Sequence, residues 1–216
     1  MKKAKRICAL LFACAAAVSL LASCKDQGES NDSEILRETY SGMPEYDISS
    51  IDSYIKPFKY TGLTVYRKNT ETASEALWNA VSCSAEMIAY PNEQVEYYAV
   101  QERAKYRYYA NRDGIEYEIL LESLGVTEES IYEIARGYVK DDLVLEYIVK
   151  DAQIALTDAE KEAHKDKYAQ RLTQVYGYDK EYIKANMTEQ IYDAMLYDKA
   201  MEYLLLNNTV HTAQGE

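Results

Sequence analysis

The chain has 216 residues, 36 acidic against 24 basic side chains, a formal net charge of −12 and 48% hydrophobic residues. An acidic balance of this size repels nucleic-acid phosphates and anionic lipid headgroups, which excludes both as surface partners. A chain of this length can bury a real core, in one or two domains.

Lys2, Lys3, Lys5 and Arg6 form a positive leading region, and residues 7–22 are apolar and uncharged. That is the pattern of an export signal, and the stretch is short for a membrane span. Leu21-Ala22-Ser23-Cys24 resembles the lipobox of bacterial lipoproteins, in which small residues precede the cysteine that becomes the new N-terminus. The resemblance implies cleavage before Cys24 and diacylglycerol on its thiol. The protein would then be anchored to the outer face of the cell membrane, or to an outer membrane where the cell has one, rather than spanning it. Removing residues 1–23 takes four positive charges and no negative ones, so the mature net charge is −16. Cys8 and Cys14 leave with the signal. With Cys24 lipidated, only Cys83 remains, so no internal disulfide is available. Cys83 is expected to be a small buried residue.

Residues 24–50 are polar, with Gly28, Gly42 and Pro44, and are expected to form a flexible tether. Residues 51–73 are expected to be a short extended segment. Its β character lies in Tyr60, Leu63, Val65 and Tyr66 around Gly62, which predicts one isolated strand. Residues 74–210 read as helices. Thr72-Ala73-Ser74-Glu75 and Thr157-Asp158-Ala159-Glu160 are capping boxes that open two of them. Pro91 suits the first turn of a helix over 92–111. Gly114 and Gly125 bracket a short helix containing Ile115, Ile119, Leu120 and Leu124. Thr127 caps an amphipathic helix carrying Ile131, Ile134, Ala135, Tyr138, Leu145, Ile148 and Val149. A single last helix is expected over 179–206. The residues after it are polar and expected to fray, with 211–216 a disordered tail. The fold class is all-α.

No motif carries catalysis. His164 and His211 have no ligand-like spacing, so no metal or cofactor is expected. Asp141-Asp142 and Glu128-Glu129 are adjacent pairs that diverge on a helix, and are expected to be solvated or capping charges. The aromatic content is skewed, with 22 tyrosines against two phenylalanines. Tyrosine joins an apolar body to a polar tip, which suits half-wet surfaces that meet other polypeptides.

From Met87 to Val210 the chain resembles the C-terminal peptide-binding domain of trigger factor, in the helical superfamily that also holds the chaperone SurA. The matching residues run in order. They are Tyr90-Pro91, Val95 and Tyr98; then Leu121, Leu124 and Gly125-Val126-Thr127-Glu128-Glu129. Ala135, Val139, Lys140, Leu143-Val144-Leu145 and Ile148 lead into Ile154-Ala155-Leu156-Thr157-Asp158-Ala159-Glu160. Tyr176-Gly177, Ile191, Lys199-Ala200 and Leu204-Leu205 complete the set. Upstream, Tyr60-Thr61-Gly62-Leu63-Thr64-Val65 and Leu77-Trp78-Asn79-Ala80-Val81 resemble the segments that flank an FKBP-type isomerase domain in exported relatives. Here only residues 66–76 lie between them, and a barrel needs on the order of a hundred residues.

The resemblance implies long helical arms and a membrane-tethered, ATP-independent chaperone for newly exported, unfolded polypeptides. It implies neither ribosome docking nor catalysis. The candidate peptide contacts are Tyr97, Tyr98, Tyr106, Tyr108, Tyr109 and Met195. The competing expectations are a peptidyl-prolyl isomerase of trigger-factor type, and a scaffold lipoprotein with one dedicated partner.

Overall fold

The computed structural model describes residues 44–213, and the chain is mostly helical. A 3-10 turn at Ile48–Ser53 leads to strand β1, Thr64–Arg67. Seven α-helices follow among the described residues: α1 Ala73–Ser84, α2 Asn92–Asp113, α3 Tyr117–Leu124, α4 Glu128–Asp151, α5 Asp158–Tyr176, α6 Lys180–Asn186 and α7 Thr188–Leu206. Strand β2, Thr209–Thr212, comes last.

The helix boundaries follow local chemistry. Both capping boxes form: the Thr72 and Thr157 hydroxyls accept from the backbone N–H of Glu75 and Glu160, whose carboxylates accept in return. The Thr127 hydroxyl accepts from Ser130 N–H at the start of α4. Helices α2 and α3 end where Gly114 and Gly125 turn left-handed, with φ of 63° and 64°. The single last helix expected from the sequence is two helices. Asp179 caps α6, and the backbone leaves helical geometry at Met187, with φ −127° and ψ 36°. The Thr188 hydroxyl then donates to Lys184 O across the break.

The chain divides into two compact units. One comprises residues 46–89 and 141–213. Here β1 and β2 pair in parallel, with Thr64 opposite Thr209 and Arg67 opposite Thr212. The strand is therefore not isolated, and residues 209–212 are not a frayed tail. His211 and Thr212, expected in the disordered tail, belong to β2. The reason lies in one side chain. Asn208 Oδ1 accepts from Leu63 N–H at 2.8 Å, while its amide donates to Tyr60 O at 3.0 Å and Leu204 O at 2.7 Å. Three backbone groups are thus held to one residue. Gly62, with φ +66°, donates its N–H to Asn207 O at 2.8 Å.

Helix α1 packs on this pair and on α7, burying Leu77, Trp78 and Val81. A second cluster joins α5, α6 and α7 through Ala169, Leu172, Ile183, Ile191, Ala194 and Met195. Lys199 ties α7 to the start of α5, donating to Glu160 at 2.6 Å and to Ala155 O at 2.8 Å. The expected tether ends earlier than residue 50, because Tyr46 is buried and its hydroxyl donates to Asp142 at 2.8 Å. Cys83 is exposed at the end of α1, not buried, because it follows Val81 onto the outer side of that helix.

The other unit contains residues 90–140: α2, α3 and the first half of α4. Val95, Tyr98, Ala99, Ala104, Ala110, Leu120, Ile131, Ala135 and Val139 are its buried apolar residues. Polar ties run between α2 and α4. Arg103 of α2 pairs with Glu128 of α4 at 2.8 Å and, within α2, with Glu96 at 3.0 Å; Tyr132 donates to Glu96 at 2.6 Å, and Tyr138 donates to Glu102 at 3.2 Å.

Asn208→Ala removes one acceptor and two donated bonds from partly buried backbone, each worth about 1 kcal/mol net. Urea unfolding should show a stability loss of roughly 1–3 kcal/mol. An unchanged midpoint would mean that the clamp does not hold the strand pair.

Candidate functional site

Helix α2 carries five of the six residues singled out from the sequence. Tyr97, Tyr106, Tyr108 and Tyr109 are half-buried there. Tyr98 is only 2% exposed and belongs to the core, with its ring 5.3 Å from that of Tyr138 and 5.6 Å from that of Tyr97. The rings of Tyr108 and Tyr109 lie 6.0 Å apart, edge to face. Cations sit over two of the rings: Lys105 over Tyr106 at 5.1 Å and Arg112 over Tyr109 at 5.2 Å. Burial raises the Tyr106 hydroxyl above its ordinary value, and the Glu102 carboxylate adds to that. Met195 lies in the other unit, 4% exposed among Tyr168, Leu172 and Ile191, so its sulfur fills a core and not an open surface. Cys24 lies outside the described residues, as do the expected signal and most of the expected tether.

The sequence reading missed the outer side of α3. Of the apolar residues assigned to that helix, only Leu120 is buried. Ile119 is 53% and Leu124 56% exposed, and Ile115, just before the helix, is exposed as well. Val100 on α2 is also exposed. The signal was present: an eight-residue helix offers one narrow buried stripe, and YEILLESL carries more apolar side chains than that stripe can take. Glu116, Glu118 and Glu122 alternate with them and are exposed.

The expectation of solvated charge at Asp141-Asp142 is half wrong. Asp141 accepts from the Ser82 hydroxyl at 2.7 Å and is half-buried. Asp142 is buried, because residues 142–146 of α4 are covered on every side and Tyr46 supplies its donor. Glu146, one turn on, is 1% exposed, and neither carboxyl oxygen has a hydrogen-bond partner. Burial, reinforced by Asp142, pushes the Glu146 carboxyl up to about 8. It is held as the neutral acid at neutral pH. Glu128 and Glu129 are exposed in the first turn of α4, where negative charge suits the helix dipole.

His164 and His211 are exposed. Among the described residues, no group of His, Cys, Asp or Glu is arranged to hold a metal ion, and no helix is long and apolar enough to cross a membrane. No family model matches the chain, and no curated protein or solved structure matches it.

The buried carboxyl sets a pH dependence. The folded state keeps the Glu146 proton up to about 8, while the unfolded carboxyl loses it near its ordinary 4.5. Between those values the folded state binds more protons, so stability falls as pH rises. The slope from this one group reaches about 1.4 kcal/mol per pH unit. The contribution is fully present below 4.5 and lost as pH rises through 8. Unfolding midpoints measured across that window should decline with pH in the wild type and flatten in Glu146→Gln. Equal slopes in the two proteins would show that Glu146 is ionised in the folded state.

Proposed function

We propose that the protein is a lipid-anchored, ATP-independent holdase for unfolded exported polypeptides. The observation that carries this reading is the exposure of Ile115, Ile119 and Leu124, on and just before α3, in the same unit as the tyrosines of α2. Large apolar side chains left exposed within one ten-residue segment are available to a partner. Unfolded chains offer apolar segments, and burying them yields roughly 25 cal/mol per Å² before the costs of ordering. Half-buried tyrosines suit such a surface, because their rings cover apolar groups and their hydroxyls accept or donate to whatever polar group a client brings. The trigger-factor-like order of motifs and the lipobox-like Leu21-Ala22-Ser23-Cys24 point the same way. Peptide binding rests on α2 and α3, and membrane attachment rests on Cys24.

Prolyl isomerisation is not part of this reading. Residues 68–72 link β1 directly to α1, where the exported relatives carry a barrel. The chaperone acts without ribosome or nucleic acid, and by binding alone. Protection therefore scales with its concentration over the dissociation constant. That constant is in the micromolar range, about −8 kcal/mol, since tighter binding would stall release without an energy input.

Two experiments test the proposal. The purified protein, without nucleotide, should suppress aggregation of chemically unfolded clients at near-stoichiometric ratios, and Ile119→Ser with Leu124→Ser should weaken that protection several-fold. Both side chains are exposed, so thermal stability should hold within about 0.5 kcal/mol. Tyr98→Ser should instead lower stability by about 3 kcal/mol or more, as loss of a buried aromatic does. Undiminished protection by the double variant would remove α3 from the binding surface, and no protection of any client would favour a scaffold with one dedicated partner. For the anchor, Cys24→Ala should leave uncleaved precursor or release the chain from the membrane fraction. A wild-type mature chain without the mass of a lipidated N-terminal cysteine would overturn the attachment.

A further inference from the structure

The strand pair has two outer edges, and the edge of β2 has unusual chemistry. Thr209 N–H donates to Leu63 O and Ala213 N–H to Arg67 O, each at 2.9 Å. Successive residues of a strand turn their backbone groups to opposite sides, so Val210 and Thr212 present N–H and C=O to the outer edge. The sheet has only these two strands among the described residues, and β2 packs on β1, α1 and α7. No described residue hydrogen-bonds to the outward groups of Val210 and Thr212.

Edge strands in native proteins are commonly blunted by charge, proline or a bulge. This one has none of them. Residues 203–215 contain no Asp, Glu, Lys, Arg or Pro, in a chain of net charge −12. Leu206, three residues before β2, is 79% exposed, and Tyr66 stacks on His211 at 5.4 Å on the outer face of the sheet.

We propose that the β2 edge is a docking surface for a second copy of this chain. The two β2 strands pair antiparallel about a twofold axis at His211, giving a four-stranded sheet in the order β1-β2-β2-β1. Charge selects this occupant. A twofold axis sets a patch against its own copy, so two acidic chains repel wherever the shared patch carries net negative charge, and the uncharged run 203–215 lets two copies approach without that repulsion. Val210 N–H donates to the carbonyl of the partner's Thr212, and Thr212 N–H to the carbonyl of the partner's Val210. A two-stranded sheet is marginal by itself, and four strands satisfy the inner edge of both copies. Strands of four residues bury far less than the roughly 1,200 Å² of a stable interface, so the dimer is weak and reversible.

The test reads proximity at the axis, with no client present, so it is independent of the holdase reading. In the pairing proposed, the two copies of residue 211 face each other in a non-hydrogen-bonded pair, about 4.5 Å between Cα atoms, which a disulfide can bridge. The full chain with Cys8, Cys14, Cys24 and Cys83 all replaced by Ser and carrying His211→Cys should form a disulfide-linked dimer on mild oxidation, seen on a non-reducing gel, where the same chain with His211 retained does not. Adding Thr212→Pro deletes an outward N–H and leaves the bonds to β1 intact. It should cut the dimer yield roughly tenfold or more, with an unchanged melting temperature. Tyr66→Cys, on the strand away from the axis, should cross-link far less than His211→Cys. Absence of the dimer, indifference to Thr212→Pro, or equal yield from Tyr66→Cys would overturn the proposal. So would a monomer whose protection of unfolded clients is lost with Thr212→Pro, which would assign the edge to an extended client strand.

Discussion

Pairing of β1 with β2 brings together segments some 145 residues apart in the chain, and the rest of its unit is built around that closure. Four residues on each strand could not hold such a loop closed by backbone bonds alone, since closing it costs chain entropy that short strands barely repay. Asn208 supplies the difference. Its amide satisfies three backbone groups at once, on the segment entering β1 and on the last turn of α7. Once the strands are joined, α1 has a surface to cover, and Leu77, Trp78 and Val81 bury against it. The antiparallel bridge between Ile55 and Met87 ties the segment before β1 to the residues after α1.

Helix α4 carries a second constraint. Residues 142–146 are buried without interruption, so this stretch has no solvated face, and two of its five residues are acids. Burying carboxyls is tolerable only where they are paired or neutral. Asp142 takes the first route, through the Tyr46 hydroxyl, and Glu146 the second, by keeping its proton. The first route also anchors the start of the described chain, so the same contact that satisfies a buried acid fixes Tyr46 to α4.

The unit built from α2, α3 and the start of α4 solves its packing differently. Its core is small, and Arg103, Glu96, Tyr132 and Tyr138 add polar ties to the apolar burial. A thin core leaves apolar side chains over, and these are the ones exposed on α3. The features proposed to bind clients are thus the residue of a unit too small to bury them. Acidic side chains alternate with them and keep the patch soluble.

Much of the helical framework was determined by local sequence. Thr72, Thr157, Gly114 and Gly125 set their helix ends through bonds within one or two turns, and these ends fall where the sequence places them, except that α2 runs on from the expected 111 to Asp113. The all-helical class and the amphipathic α4 followed from periodicity in the same local way. What depends on distant partners was decided by tertiary structure. Residues 209–212 read as a polar tail until Asn208 and β1 give them a ladder to join. Asp142 reads as solvated until Tyr46 covers it, and Cys83 as buried until α1 turns its other side inward. Tyr98 and Tyr97 are neighbours of the same type, yet one is core and the other half-exposed. A helix rotates by about 100° per residue, so which of the two faces inward is fixed by where α4 lies and not by either side chain.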